Sequence, residues 1–293
     1  MSSNPLRFGV STHLFHDARL DREHLVEIAA HDFEAVEVFA TRTHFDYRDP
    51  AAVASLAEWL DDTRLELASL HAPISASLIG DRWGEPYSTA TGDATRRRRA
   101  LDEAAAALAV AKTIPYRCLV VHLGVPATLA APDDNAAAAA RESVRELYTL
   151  AEGVGVQIAL EVIPNPLSDA ETLVALLEDE SELSRLGICL DVGHAHIMGD
   201  VGEATETCSG YLLTTHLHDN GGKADDHLVP YAGTIDWEAA LLALQKVGYE
   251  GPWMFEVAGH GDPLQVLART AAARRRFEAF LDIGAEMMGD SEP

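Results

Sequence analysis

The feature that most constrains the fold is an alternation of short apolar runs with helix-like stretches along the whole chain. Eight runs have the length and composition of buried strands, and they span residues 6–12, 33–39, 65–70, 117–124, 156–163, 186–192, 211–218 and 253–257. Stretches with apolar residues at three-to-four spacing lie between them, namely 21–31, 49–62, 94–112, 134–155 and 236–248. This alternation predicts a parallel sheet whose strands are joined by helices.

The number of strand–helix units favours a closed barrel over an open, doubly wound sheet. The first turn of an open sheet more often carries a glycine-rich phosphate-binding sequence. Neither G-x-G-x-x-G nor G-x-x-x-x-G-K-[ST] occurs in the chain, and no linker or low-complexity segment divides its 293 residues. We therefore predict one α/β domain, a single (β/α)₈ TIM barrel that covers residues 1–293.

The composition argues against several classes of partner. With 22 basic and 47 acidic side chains, the formal net charge is −25, which opposes binding to the phosphate backbone of nucleic acids. No stretch approaches the roughly 20 apolar residues of a membrane span, and the first residues lack the pattern of a secretory signal. The three cysteines, Cys118, Cys189 and Cys208, show no C-x-x-C spacing. We expect a cytoplasmic protein without a nucleic acid or membrane partner.

Side chains that bind metals or transfer protons stand where the predicted strands end, which is the active-site face of a (β/α)₈ barrel. The stretch TTHLHDNGGKADDH at 214–227 is the densest example, and alternation places His216 and His218 on one face of a strand. The other candidates near strand ends are Glu37, His71, His122, Glu161, Asp191, His194 and Glu256. Such a mixture of imidazoles and carboxylates suits a divalent ion, with zinc and manganese as the first candidates.

These residues give the chain a resemblance to the xylose isomerase-like TIM barrels, which include sugar isomerases and epimerases and the endonuclease IV group of abasic-site nucleases. The resemblance covers nearly the whole chain. The pattern of the epimerase-like members implies one divalent metal held by Glu161, Asp191, His216 and Glu256. The nuclease group binds three zinc ions with a larger set, whose positions are matched by His71, His122, Glu161, Asp191, His194, His216, Asp225, His227 and Glu256.

The sequence of the seventh strand distinguishes the two groups. The nucleases usually read H-L-N-D followed by a small residue and Lys, whereas residues 216–220 read H-L-H-D-N, similar to many sugar isomerase-like proteins. A nuclease also needs basic loops to hold a bent DNA substrate, which the net charge opposes. The resemblance therefore implies a metal-dependent isomerase or epimerase of a small sugar or polyol, with one metal ion and at most three. A trinuclear-zinc phosphodiesterase and a non-catalytic metal- or sugar-binding barrel remain the alternatives.

In an isomerase, the resemblance implies that Glu161 and Glu256 are the two acid–base groups, acting on opposite sides of the substrate carbon. Asp191 and His216 would complete the metal shell, although the spacing leaves open whether His216 or His218 is the direct ligand. Trp83 belongs to the long segment 72–95, which would form either a lid or a packed surface loop. The candidates for substrate binding are His13, His71, Trp83, His194, His218 and His260. The sugar, its phosphorylation, the native metal and the oligomeric state remain open.

Overall fold

A closed barrel of eight parallel strands forms the centre of the computed structural model, which describes residues 6–79, 82–259 and 261–289. The barrel strands are β1 (Phe8–Ser11), β2 (Ala35–Phe39), β3 (Glu66–His71), β4 (Cys118–Val121), β5 (Gln157–Glu161), β6 (Leu186–Asp191), β7 (Leu212–Leu217) and β8 (Trp253–Phe255). Each strand pairs with its neighbours in the sequence, and β8 closes the barrel against β1. The predicted eight-stranded barrel is therefore confirmed.

The helices surround the barrel. They are α1 (Arg22–Ala30), α2 (Pro50–Thr63), α3 (Ala94–Ala109), α4 (Ala137–Glu152), α5 (Ala170–Asp179), α6 (Val192–Met198), α7 (Val201–Thr207), α8 (Trp237–Lys246) and α9 (Pro263–Gly289). Short 3₁₀ helices span Thr12–Phe15 and Val110–Lys112. Within the residues described, no helix is both long and apolar enough to cross a membrane.

Aspartate side chains begin most of these helices. A side-chain oxygen accepts a hydrogen bond from a backbone N–H of the first helical turn at Asp21, Asp49, Asp93, Asp169, Asp191, Asp200 and Asp236. These caps satisfy amide groups that would otherwise lack a partner, and they place negative charge at the positive end of the helix dipole. Part of the acidic composition therefore stabilises the helices. Asp191 is of particular interest, because the residue that caps α6 is also the last residue of β6, inside the barrel.

The interior of the barrel is apolar in its lower layer and polar above it. Ala159 and Cys189 pack with Cys118, Val120 and Leu213 in a small buried cluster. Side chains two residues apart in a strand point the same way. Glu161 and Asp191 follow Ala159 and Cys189 at that spacing and therefore point into the barrel, at the ends of their strands. The apolar layer closes the barrel below them, so the polar layer is open only at the carboxyl ends of the strands.

The segment after β3 covers part of that open end. It contains an antiparallel pair of two-residue strands, in which Leu78–Ile79 pairs with Arg82–Trp83. Its residue Trp83 lines the cavity above the polar layer, while Ile79 on the neighbouring strand is 72% exposed. The described part of the long segment predicted to be a lid or a surface loop thus contains a short antiparallel strand pair at the edge of the cavity.

Candidate metal centre

Four side chains from the ends of β5 to β8 meet at the floor of the cavity. Glu161, Asp191, His216 and Glu256 are all buried, and each offers one ligand atom within 4.8 Å of the others. The Nδ1 atom of His216 lies 3.1 Å from Glu256 Oε2 and 3.3 Å from Glu161 Oε1. Asp191 is the neighbour of His216 in the strand register and lies 3.9 Å from the same nitrogen. The structure thus brings together the four residues of the predicted one-metal site.

The orientation of His216 is set from below by Glu37. The Nε2–H group of His216 donates to Glu37 Oε2 at 3.1 Å, and the Ser69 hydroxyl donates to the same oxygen at 2.8 Å. Glu37 and Ser69 are buried partners in the register of β2 and β3. With one proton held on Nε2 by Glu37, Nδ1 of His216 is the ring nitrogen directed at the carboxylates and available to a cation, as is usual for a metal-binding imidazole. Glu37, a charged residue within the strand-like stretch FEAVEVF, was the sequence signal for this contact, but the sequence did not identify its partner.

A second group shares Glu161. The Nε2 atoms of His71 and His122 lie 3.1 and 3.0 Å from Glu161 Oε2. The other ring nitrogen of His71 donates to the carbonyl of Ala72 at 2.9 Å, which leaves Nε2 directed at the carboxylate. The two oxygens of Glu161 are therefore divided between the two groups, with Oε1 towards His216 and Oε2 towards His71 and His122. A carboxylate in this position can bridge two cations.

A third group lies on the other side, around Asp225. Asp225 Oδ2 is 3.1 Å from His194 Nε2 and 3.2 Å from His227 Nε2. The Nδ1–H group of His227 donates to the carbonyl of Glu256 at 2.9 Å, so its Nε2 atom remains directed at Asp225. His194 is also the neighbour of Asp191 in the first turn of α6, with Nδ1 3.2 Å from Asp191 Oδ2. The third group is thus joined to the one-metal site through Asp191.

His218 lies within this third group and not on the wall of the cavity. Its Nε2 atom is 3.0 Å from Asp191 Oδ1, and its ring stacks on that of His227 with centroids 4.0 Å apart. A Cβ atom at residue 193 would lie only 2.0 Å from this ring, so Gly193 makes room for it. His218 can therefore join Asp191 or Asp225 as a ligand. Its ring is fully buried beneath His227 and does not line the cavity, so this arrangement does not favour its predicted role in substrate binding.

The cavity above these groups has a volume of about 560 Å³. Of the residues predicted to bind substrate, four line it: His13, His71, Trp83 and His194. His260 lies outside the described residues. Glu161 and Glu256 line its floor, and the rings of His16 and Trp83 stack at 5.6 Å along one side. Sequence patterns did not identify Phe39, Val125 and Leu129 as lining residues, since an apolar residue at a strand end or in a loop gives no signal of its own.

The electrostatics of the buried groups are those of ion pairs. Burial alone would raise the pKa of Glu161 and Glu256, but the neighbouring imidazoles, with His216 common to both, hold both pKa values well below their usual range. Burial likewise opposes protonation of His227, yet the charge of Asp225 raises the pKa of His227 to about 9. The carboxylates are therefore ionised, and in the metal-free protein protons on the imidazoles balance their charge.

The donor set fits a divalent cation. Carboxylates and imidazoles with donor atoms this close are the usual ligands of zinc and manganese, and such a cation would replace the protons that balance the carboxylates. Two buried atoms of the same cluster, Glu37 Oε1 and His218 Nδ1, have no hydrogen-bond partner among the described residues. Buried polar atoms without partners are uncommon and indicate a polar centre organised for something other than stability.

Known proteins share the fold of this chain. The chain is 28% identical over 259 residues to the uncharacterised protein MJ1311 of Methanocaldococcus jannaschii, which covers 84% of this chain and 82% of that protein. A D-tagatose 3-epimerase-like protein superposes with a TM-score of 0.77 at 24% identity, covering 97% of this chain and all of the other. The IolI protein, crystallised with a bound zinc atom, gives a TM-score of 0.75 at 18% identity over 93% and 98% of the two chains. The model of the xylose isomerase-like TIM barrel family matches residues 25–280, and the chain therefore belongs to that family.

Proposed function

We propose that the protein is a divalent-metal-dependent isomerase or epimerase of a small ketose-like sugar. The observation that carries the proposal is the pair of buried carboxylates, Glu161 and Glu256, which meet at Nδ1 of His216 on the floor of an open cavity. Similarity to an epimerase-like protein and to a zinc-bound protein of the same fold supports both the reaction class and the metal.

The chemistry is proton transfer next to a carbonyl group. When bound by Glu161, Asp191, His216 and Glu256, a divalent cation would polarise the carbonyl and stabilise the enediolate oxygen. Glu161 and Glu256 both face the cavity and are held in the ionised form, so either can remove a proton from the substrate carbon. For an epimerisation, the other carboxylate must first take up a proton from solvent, which it delivers to the opposite side of that carbon, while the first carboxylate releases its proton to solvent. His71 and His122 hold Oε2 of Glu161 and so fix the orientation of that base.

Deuterium exchange tests this proposal. Unphosphorylated ketopentoses and ketohexoses are incubated with Mn²⁺-loaded protein in deuterated water, and deuterium next to the carbonyl is measured by NMR. We expect exchange with at least one ketose, and a fall of about 10²–10⁴-fold in Glu161→Gln and Glu256→Gln with metal retained. Glu58→Gln, at an exposed position of α2, is the matched control. Exchange at the wild-type rate in both variants would assign proton transfer to other residues.

A trinuclear-zinc phosphodiesterase is the second candidate, favoured by the two additional ligand groups around His71 and Asp225. One observation opposes it: among the described residues, no lysine or arginine lines the cavity. Phosphate contacts supply much of the affinity for DNA, so we expect no incision of a duplex with an abasic site at physiological salt. Efficient incision that is lost in His71→Ala would favour the phosphodiesterase.

A further inference from the structure

The cavity is larger than a single sugar requires. A hexose has twelve non-hydrogen atoms, and even at the roughly 30 Å³ that each molecule occupies in liquid water, these atoms fill only about 360 Å³. The cavity measures about 560 Å³. A ketose placed with its carbonyl at Glu161 and Glu256 therefore leaves space towards the opening, and the walls of that space indicate what it holds.

The outer wall is apolar on one side. Trp83, with Ile74, comes from the segment after β3, and Val125, Pro126 and Leu129 come from the segment after β4, the neighbouring strand of the barrel. Leu129 is 74% exposed and Trp83 is 43% exposed, although both line the cavity. Large apolar side chains that remain exposed at the rim of a cleft mark a surface that gains from being covered by a ligand.

Among the residues that the structure describes, no lysine or arginine lines the cavity to pair with an anionic substrate. Its charged lining residues in the described part of the chain are the carboxylates Glu161, Asp225, Asp226 and Glu256, together with the histidines of the metal centre. Arg99 of α3 lies over the ring of the lining residue Tyr87, and its guanidinium is paired with Glu85. A phosphate group in the outer half would thus meet apolar side chains and acidic charge. The lining favours an uncharged ligand.

We propose that this outer half is a subsite for an apolar substituent of an uncharged sugar. The substrate class is a ketose derivative whose keto end reaches Glu161 and Glu256, while an aryl or alkyl group at its other end packs against Trp83, Val125 and Leu129. This inference rests on the proposed sugar chemistry for its inner half, and it adds the specificity for an apolar group.

Binding measurements with defined probes test the subsite. Mn²⁺-loaded protein is titrated calorimetrically with D-fructose, with its 1-O-benzyl and 6-O-benzyl ethers, and with D-fructose 6-phosphate. Burial of a phenyl-sized group stabilises a complex enough that one benzyl ether should bind about 10-fold more tightly than D-fructose, or better. The phosphate ester should bind less tightly than D-fructose. The ratio of the two dissociation constants, benzyl ether to parent sugar, is the quantity compared among variants.

Variants of the wall and a matched control locate the effect. The benzyl advantage is the factor by which the benzyl ether binds more tightly than D-fructose. Leu129→Ser and Trp83→Ala should each reduce it by about 3-fold or more. Leu129 is so exposed that its replacement is not expected to affect folding. Ile79→Ser removes an equally exposed apolar side chain that does not line the cavity, and it should leave the ratio unchanged.

The outcomes separate this inference from the proposed function. Deuterium exchange with a ketose, but no benzyl advantage, overturns the subsite and leaves the isomerase intact. A benzyl advantage that is lost in Leu129→Ser supports the subsite even if no ketose exchanges. Tighter binding of the phosphate ester than of both benzyl ethers, or an advantage that persists in both wall variants, also overturns it.

Discussion

Replacement of Glu37 by glutamine should weaken metal binding although Glu37 is not itself a ligand of the proposed site. Its carboxylate accepts the Nε2–H proton of His216 at 3.1 Å, and both side chains are fully buried. The substitution keeps the size of the side chain but removes the charge that holds the proton on Nε2. Loss of such a partner typically reduces metal affinity by about 10–100-fold, which corresponds to about 1.4–2.8 kcal/mol.

The assay is an equilibrium competition between the protein and a chelator of known affinity for Mn²⁺. Ser69→Ala is the matched control, because it removes the other hydrogen bond to Glu37 Oε2 while leaving the carboxylate in place. We expect a clearly smaller loss of affinity in Ser69→Ala than in Glu37→Gln. If Glu37→Gln binds Mn²⁺ as tightly as the wild type, the carboxylate does not orient His216 and the argument from the hydrogen bond fails.

Three further changes test the centre. Asp191→Ala should abolish tight binding of divalent metal, as measured by elemental analysis after dialysis, and full retention would contradict the assigned site. Gly193→Ala should lower the melting temperature, because the added Cβ would overlap the ring of His218; overpacking of this kind costs about 1–3 kcal/mol. Metal-free protein should lose thermal stability as the pH rises from 6.5 through about 9, where His227 loses the proton that pairs with Asp225, and a melting temperature independent of pH would contradict that pairing.

The barrel and most of the site residues could be predicted because both follow from local patterns. Eight apolar runs separated by amphipathic stretches indicate the strands and helices, and only barrel closure brings residues as distant as His71 and Glu256 together. Ligand-type residues at strand ends, such as Glu161 and Asp191, are visible because the active-site face of the fold is known in advance. The sequence therefore indicated which residues belong to the cluster.

Contacts between distant elements could not be predicted in the same way. Glu37 stands in the middle of β2, and its role depends on the β7 side chain that the barrel places above it. His218 follows the same alternation as His216, yet it is buried by the ring of His227, whose backbone has a positive φ of 45° in an irregular loop. The apolar wall around Leu129 arises from two loops that meet only in the folded chain. Each of these features depends on tertiary packing, which periodicity does not encode.

The number of bound metal ions should depend on pH, because protons and cations compete for the same imidazoles. The groups around His71 and Asp225 lie beside the one-metal site and share Glu161 and Asp191 with it. Burial alone would lower the pKa of His71 and His227, but Glu161 raises the pKa of His71 above its usual value, and Asp225 raises the pKa of His227 to about 9. With a single cation at the central group, His71 and His227 can keep their protons near neutral pH.

Additional cations require those protons to leave. We therefore expect one zinc ion per chain after dialysis at pH 6.5, and a higher count near pH 9 when zinc is in excess, as measured by elemental analysis at the two pH values. His71→Ala should prevent part of that increase, since it removes a ligand of one outer group and keeps all four residues of the central group. Three zinc ions per chain already at pH 6.5 would refute the competition argument, because the outer groups would then bind metal more strongly than they bind protons. That result would also make the phosphodiesterase the better hypothesis, since three metal ions are more than proton transfer at a single carbon needs.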